Sequence, residues 1–252
     1  MVQVADLTQY IDDLLAVDRF KDYGPNGLQV EGRKEISRIV CGVTACRALI
    51  DAAVEARADA ILVHHGYFWK GEDPCLVGMK AARIRRLLHA DINLLAYHLP
   101  LDAHGELGNN AQLAKRLGLS VEGRFIGDAE TGIGMYGALS KVMSGDEFSA
   151  HINNVLARPP LHIKGNNRPI KRIAWCSGGA QGYIEQAVML GVDAYLTGEV
   201  SEQTVHIARE YGIHFFAAGH HATERYGVQA LGAHVANQFK LEWQFIEIEN
   251  PV

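Results

Sequence analysis

Seven side chains of the kinds that bind metals or carry protons follow short apolar runs in this sequence. His64 and His65 close the string DAILVHH, and His98 and Asp102 lie in YHLPLD. Glu199 follows DAYLTG, and His220 and Glu224 lie in GHHATE. Histidine is the commonest metal ligand and the acid–base residue available near neutral pH. A nitrogen and oxygen donor set without thiolate suits zinc, iron, manganese or cobalt rather than copper(I). Neighbouring ligands such as His64 and His65 point in different directions, so one ion rarely takes both. Two ions sharing a bridging carboxylate account for the pair more economically. Taken alone, an HH pair is more often a strand-to-loop corner, and H-x₃-E equally describes a surface pair on one helix face. Their recurrence at matching places along the chain is what favours a metal site.

Those places are defined by strands. Leu7, Ile11, Leu14 and Leu15 have helical spacing, and DYGPNGLQV (22–30) reads as a turn. A β-branched run at 39–43 precedes a helix pattern with Leu49, Ala52, Ala53 and Ala56 on one face. A buried strand at 59–63, a helix over about 78–90 and a strand at 93–97 follow. The second half repeats this order: strand 173–176, a glycine-rich turn SGGAQG (177–182), a helix over 182–190, strand 193–197, a helix over 201–211 and strand 213–218. Cys41 precedes Asp59 by 18 residues and Cys176 precedes Asp193 by 17. ADAILVHHG then matches VDAYLTGEV, which sets His65 opposite Glu199. LLAYHLPLD matches FAAGHHATE, which sets His98 opposite His220 and selects His220 rather than His221 as the ligand. The first half carries about 12 extra residues, YFWKGEDPCLVG, between the matched segments. Between the halves, GIGMYGALSK alternates like a strand, DEFSAHINNVL reads as a helix, and RPPLHIKGNNRP holds an edge strand between turns.

Alternating strands and helices, with strands apolar on both faces, predict α/β units with mainly parallel pairing. The expected architecture is two interlinked α/β domains of related topology, an internal pseudo-repeat, divided as 1–125 and 126–252. Functional groups in such sheets gather at the carboxyl ends of strands, where every candidate here falls. The expected metal site therefore lies in the cleft between the two domains. So many imidazoles and carboxylates in one cleft are tolerable only with cations present.

Composition narrows the remaining classes. With 48% apolar and 21% charged residues, the chain reads as globular rather than disordered. No apolar run approaches the roughly 20 residues of a membrane span, and the acidic, amphipathic start lacks the features of a signal peptide. A net charge of −5 argues against a surface that coats nucleic acid, while leaving a local basic patch open. Cysteines at 41, 46, 75 and 176 form no CxxC pair, so neither a disulfide scaffold nor a thiolate zinc site is expected, and a reducing, cytoplasmic setting fits. SGGAQG lacks the lysine and hydroxyl residue of a P-loop, so a tight strand-to-helix turn is preferred to a phosphate cradle. Lys70, Lys80, Arg83, Arg85 and Arg86 could hold phosphates or form a solvated helix face. Tyr67, Phe68 and Trp69, beside the histidine pair, could stack on a base or pack in a core.

In the strings NGLQV (26–30), GVTA (42–45), DAILVHHG (59–66), YHLPLD (97–102), DAYLTGE (193–199) and AGHHATE (218–224), the chain resembles the dinuclear metal centre proteins over nearly its whole length. These are also known as GTP cyclohydrolase 1 type 2 homologues, the Nif-three-like family, here in its short bacterial form. Gly66 stands where many members have proline after the histidine pair. The resemblance implies two divalent metal ions, iron, zinc or manganese, on His64, His65, Asp102, His220 and Glu224. It implies a toroidal homohexamer, and a metal-dependent hydrolase that opens the imidazole ring of a purine nucleotide such as GTP with metal-activated water. His98 and Glu199 are candidate proton carriers by their repeat positions. The alternative is a non-catalytic metal-binding scaffold or regulator that acts through protein or nucleic-acid partners.

Overall fold

A computed structural model describes residues 1–252. Numbered along the chain, the elements begin with β1 (Val2–Gln3), α1 (Val4–Leu15), β2 (Gly27–Val30), β3 (Glu35–Ile36), β4 (Arg38–Thr44), α2 (Arg47–Glu55) and β5 (Ala60–His65). Next come α3 (Gly78–Ala90), β6 (Asn93–Ala96), α4 (Leu99–Ala103), α5 (Asn109–Leu117), β7 (Leu119–Phe125) and β8 (Gly134–Met143). They continue with α6 (Gly145–Leu156), β9 (Leu161–Ile163), β10 (Ile170–Trp175), α7 (Ile184–Met189) and β11 (Ala194–Thr197). The chain closes with α8 (Glu202–Tyr211), β12 (His214–Ala217), α9 (His220–Phe239) and β13 (Glu242–Phe245).

Two compact units result, Met1–Leu101 with Gly227–Glu249 and Asp102–Tyr226 with Asn250–Val252. The division expected near residue 125 differs from this one, and strand pairing explains why. β7 pairs antiparallel with β8, which draws the segment after Leu101 into the second unit. β13 pairs parallel with β4, which returns the end of α9 to the first. The helix α9 carries no one-sided apolar stripe in HHATERYGVQALGAHVANQF, although Val228, Leu231 and Val235 are wholly buried. A helix buried on several faces lacks the periodic signal by which sequence reveals helices.

The first unit's main sheet has the order β13-β4-β5-β6-β2, with β4, β5 and β6 parallel and β2 antiparallel at the edge. The turn read over 22–30 is thus partly strand. Ile61 and Val63 of β5 pack with Leu49, Ile50 and Ala53 of α2 and Ile84 and Leu87 of α3. The second unit's sheet has the order β7-β8-β10-β11-β12-β9, with three parallel strands where the first sheet has four, and an antiparallel edge strand, β9. Trp175 and Phe216 pack with Phe148 and Ile152 of α6 in one cluster, and Tyr195 and Phe215 with Ile184 of α7 and Ala208 of α8 in another. The Ser144 side chain caps α6, and Glu147 returns the hydrogen bond.

One aspartate in each unit pins its parallel strands in register. Asp59 Oδ2 accepts from the N–H groups of Ser37 and Arg38 at 2.8 and 2.9 Å. Asp193 Oδ2 accepts from those of Lys171 and Arg172 at 3.0 and 2.9 Å. Each ties off backbone donors at the start of a central strand that the ladder leaves over. Hydrogen bonds from Ser37 and Arg38, with the charge of Arg33, outweigh the effect of burial and hold the Asp59 carboxyl below the usual range.

Burial also acts on the edge of the second sheet. His162 Nε2 and His214 Nδ1 are 3.0 Å apart, and the His162 ring stacks on Phe216. Burial, with the neighbouring His214, pushes His162 down to about 4, against the opposing pull of Asp146; Lys164 adds to the depression. His214 itself reaches the carbonyl of Arg168. Because the folded value lies below the unfolded one, this stability is complete above pH 6.5 and drains away as pH falls towards 4. We expect a loss of about 1–2 kcal/mol over that interval, allowing for solvent screening. Urea midpoints measured at pH 7 and 5 should show it in the wild type and show less of it in His162→Gln. Equal pH slopes in the two proteins would contradict the assignment.

Candidate metal centre

Strand β5 runs on through both histidines instead of ending before them. Alternation would send adjacent side chains to different sides of a strand, yet at the end of β5 the His64 and His65 rings lie with centroids 4.5 Å apart and 46° between their planes. His64 is fully buried, and its Nδ1 lies 2.9 Å from the Tyr97 carbonyl oxygen. A carbonyl only accepts, so Nδ1 carries the proton and Nε2 is the ring atom that could bind a metal. His65 Nδ1 lies 3.2 Å from Thr44 Oγ1, on the neighbouring strand at the register position opposite. His98, just after β6, points Nδ1 at Asp22 Oδ1 at 2.7 Å. Ring nitrogens of His64, His65 and His98 lie within 4.8 Å of one another, a group that could hold a metal ion.

Asp22 organises this corner. Its carboxylate accepts from the N–H groups of Tyr23 and Leu99 and from Asn26 Nδ2, and the Asn26 side-chain oxygen accepts from the N–H of His98. Burial alone would raise Asp22, but its hydrogen bond with His98 and the attraction between them, with help from Asn26 and Tyr23, hold it below the usual range. A carboxylate behind an imidazole fixes the tautomer and makes the far nitrogen more basic.

The second unit gathers carboxylates around one imidazole. His220 Nδ1 is 2.7 Å from Glu199 Oε1, and its Nε2 is 3.1 Å from Glu224 Oε2, one turn further along α9. Burial would lower His220, yet hydrogen bonds to Glu224 and Glu199 and their charges push it up to about 9. Surroundings that hold a proton so firmly stabilise positive charge, as a divalent cation requires. Carboxylate oxygens of Asp102 and Glu224 lie within 4.8 Å of each other, and both residues are buried. Asp102 Oδ1 accepts from Asn109 Nδ2 at 2.8 Å and from Ser177 Oγ at 3.1 Å, which fixes its orientation. Asn110 in turn anchors Ser177 by accepting its N–H.

The glycine-rich turn 177–182 has a steric task. Gly178 adopts φ +67°, and a Cβ there would meet Glu224 Oε1 at 2.1 Å. Thr197 Oγ1 and the Gly198 N–H both donate to the Gly178 carbonyl, pinning the turn beside Glu224. The helix that follows, α7, is only six residues long, so the turn is a close-approach corner rather than a phosphate cradle.

In its own unit, each candidate lies in a cluster. His98, read from sequence as a proton carrier, also stands among the possible ligands, and Glu199 backs His220 directly. Setting His98 opposite His220 puts the two halves one residue out of register. The Tyr97 N–H donates to the Val63 carbonyl, as that of Ala218 donates to Thr197, so His98 corresponds to Gly219. Geometry nonetheless distinguishes His220, the ring flanked by Glu199 and Glu224, from His221, whose N–H donates to the Val252 carbonyl. Sequence reasoning missed Asp22, Asn26, Asn109 and Ser177, which hold candidate ligands from behind. The polar residues inside the DYGPNG turn were the only available signal. Lys80 and Arg86 of the basic stretch pair with Glu72 and Asp51, and Tyr67 is buried with its hydroxyl on the Ala45 carbonyl.

Comparison with known proteins covers the whole chain. The family described as Duf34/NIF3 (NGG1p interacting factor 3) matches residues 2–251. A Pseudomonas aeruginosa protein named GTP cyclohydrolase 1 type 2 homolog is 58% identical over 250 residues, 99% of each chain. A Vibrio cholerae protein of the same name is 52% identical over 248 residues, 98% of each. Among solved structures, protein ybgI, described as of unknown function, superposes with a TM-score of 0.96 at 50% identity over 100% of both chains. A Thermus thermophilus protein does so with a TM-score of 0.88 at 31% identity, also over 100% of both.

The steric role of Gly178 is open to direct test. Gly178→Ala should lower stability by about 1–2 kcal/mol through its positive φ and displace Glu224. Metal affinity should fall by roughly tenfold or more, as when other supports of ligands are disturbed. Gly182→Ala is the control, because nothing lies within 4 Å of a Cβ there. Thermal denaturation and metal titration of the two variants should differ; matching behaviour would remove Gly178 from the account.

Proposed function

The chain belongs to the Duf34/NIF3 family, and from that premise we propose that it binds two divalent metal ions and hydrolyses a purine nucleotide. The ligands we assign are His64, His65, Asp102, His220 and Glu224. The observation that carries this reading is the close group of imidazoles on β5 and just after β6, each tied through Nδ1 to a partner within its own unit. Imidazoles packed this tightly repel one another when protonated and serve a purpose when His64 and His65 hold cations beside His98. The donor set of imidazole and carboxylate fits iron, zinc or manganese.

Bound divalent ions supply Lewis acidity and lower the pKa of water towards neutrality. The protein's own groups do the rest. Asp22 keeps a proton on Nδ1 of His98 and leaves Nε2 as its basic atom, to which we assign proton acceptance during turnover. Glu199 does the same for His220, holding Nδ1–H so that Nε2 faces its partners. The name carried by the relatives motivates GTP as the first substrate to try, with one water opening the imidazole ring and a second releasing C8 from the resulting formamide as formate. A homohexameric ring in the cytoplasm completes the proposal, on the strength of the family resemblance; no helix is long and apolar enough to cross a membrane.

Elemental analysis of protein purified without chelator should find about two transition-metal ions per chain. Asp102→Ala and Glu224→Ala should reduce that content while the fold, followed by circular dichroism, persists. Metal-loaded protein should release formate from GTP, and His64→Ala should abolish release. Full metal loading with no product from a panel of purine nucleotides would favour a metal-binding scaffold acting on a partner, to which the family's description as an interacting factor points.

A further inference from the structure

The segment 67–77 has no counterpart in the second half of the chain, and it places one aromatic ring against the histidine group. The Trp69 ring centroid lies 5.0 Å from that of His98 and 6.1 Å from that of His65, at interplanar angles of 82° and 61°. Its neighbours have ordinary structural work. Tyr67 is buried, with its hydroxyl on the Ala45 carbonyl, and Phe68 lies under the Lys80 ammonium at 5.0 Å. Trp69 is only half-buried and meets the imidazoles edge to face, whereas Trp175 is wholly enclosed in a core. Tyr23, 58% exposed, stands beside His98 with ring centroids 6.3 Å apart.

The backbone is arranged to hold the two rings there. The Lys70 N–H donates to the Tyr23 carbonyl at 2.6 Å, tying one aromatic loop to the other. The Trp69 N–H donates to Glu72 Oε2, which also pairs with Lys80 at 3.0 Å. Gly24 leaves room for the indole, since a Cβ there would lie 3.1 Å from Trp69 Cε3. Phe68 adopts φ +66°, a left-handed conformation that side-chain-bearing residues rarely take. Such strain persists where surrounding contacts enforce it and is concentrated at ligand sites.

From this arrangement we propose that Trp69, with Tyr23 beside it, forms the stacking wall of a substrate subsite for a planar heteroaromatic ring of the nucleobase kind. Every base offers a π face, and an indole held rigidly at the rim of the histidine group receives one at little conformational cost. An aliphatic or purely phosphate ligand would gain nothing from this wall. The inference rests on the metal-hydrolase reading for the identity of the reacting group, but ring binding itself needs no metal.

The test is equilibrium binding by calorimetry to the full chain, metal-loaded and chelator-treated, with guanosine, GTP and inorganic triphosphate as probes. Trp69→Ala should weaken guanosine and GTP by about tenfold or more. Trp69→Phe should stay within about threefold of wild type, and Tyr23→Ala should weaken both by about threefold or more. Triphosphate affinity and metal content should not change in Trp69→Phe or Tyr23→Ala. Unchanged guanosine affinity in Trp69→Ala, equal weakening of guanosine-bearing and ring-free probes, or no guanosine binding by wild type would overturn the proposal. If Trp69→Ala also loses metal, the chelator-treated comparison and Tyr23→Ala decide. Ring binding by a chain that takes up no metal would sink the hydrolase reading and leave this one standing.

Discussion

Three imidazoles share one corner of the first unit and two carboxylates, one of them buried, flank one imidazole in the second, and that crowding of ionisable groups constrains the rest of the structure. Buried or half-buried charges of this kind are costly unless a counter-ion or a network of hydrogen bonds offsets them. Parallel strands create the crowding in the first place. They present their carboxyl ends on one edge of a sheet, so residues at the ends of β5 and β6 become neighbours though far apart in sequence, as do those just after β11 and β12.

Much of the surrounding sequence is understandable as support for those few groups. Asp59 and Asp193 fix the strand register that determines which residue emerges at the end of each strand. A slip of one residue in β5 would shift both His64 and His65 out of their places at the strand end. Behind the ligands stand partners that define one tautomer or one carboxylate orientation: the Tyr97 carbonyl, Asp22, Glu199, Asn109 and Ser177. Several of these are themselves held by further hydrogen bonds, as Ser177 is by Asn110, so the geometry is set by the protein itself.

The parallel strands and their helices were legible in the sequence because apolar runs between aspartates and glycines have a strong local signature. The strand read at 59–63 and the helix over 78–90 appear as β5 and α3. Residues that owe their role to distant pairing were not legible. Asp22 acquires its function from His98, 76 positions away, and the polar residues of DYGPNG signal a turn rather than that role. The course of α9 and β13 back into the first unit is likewise set by β13 pairing with β4, a contact between chain ends. The one-residue error in matching His98 to His220 arose because two similar strings were aligned by letters, while backbone hydrogen bonds define the true correspondence. Candidate ligands could be named from residue type and position; what holds each of them could not.

The central claim is that five named side chains hold two ions. Anomalous scattering from crystals grown with Mn²⁺, recorded near the manganese absorption edge, addresses it most directly. The account predicts two peaks per chain, about 3.5–4 Å apart, bound through His64, His65, Asp102, His220 and Glu224. A single peak, or two peaks away from those side chains, would contradict it.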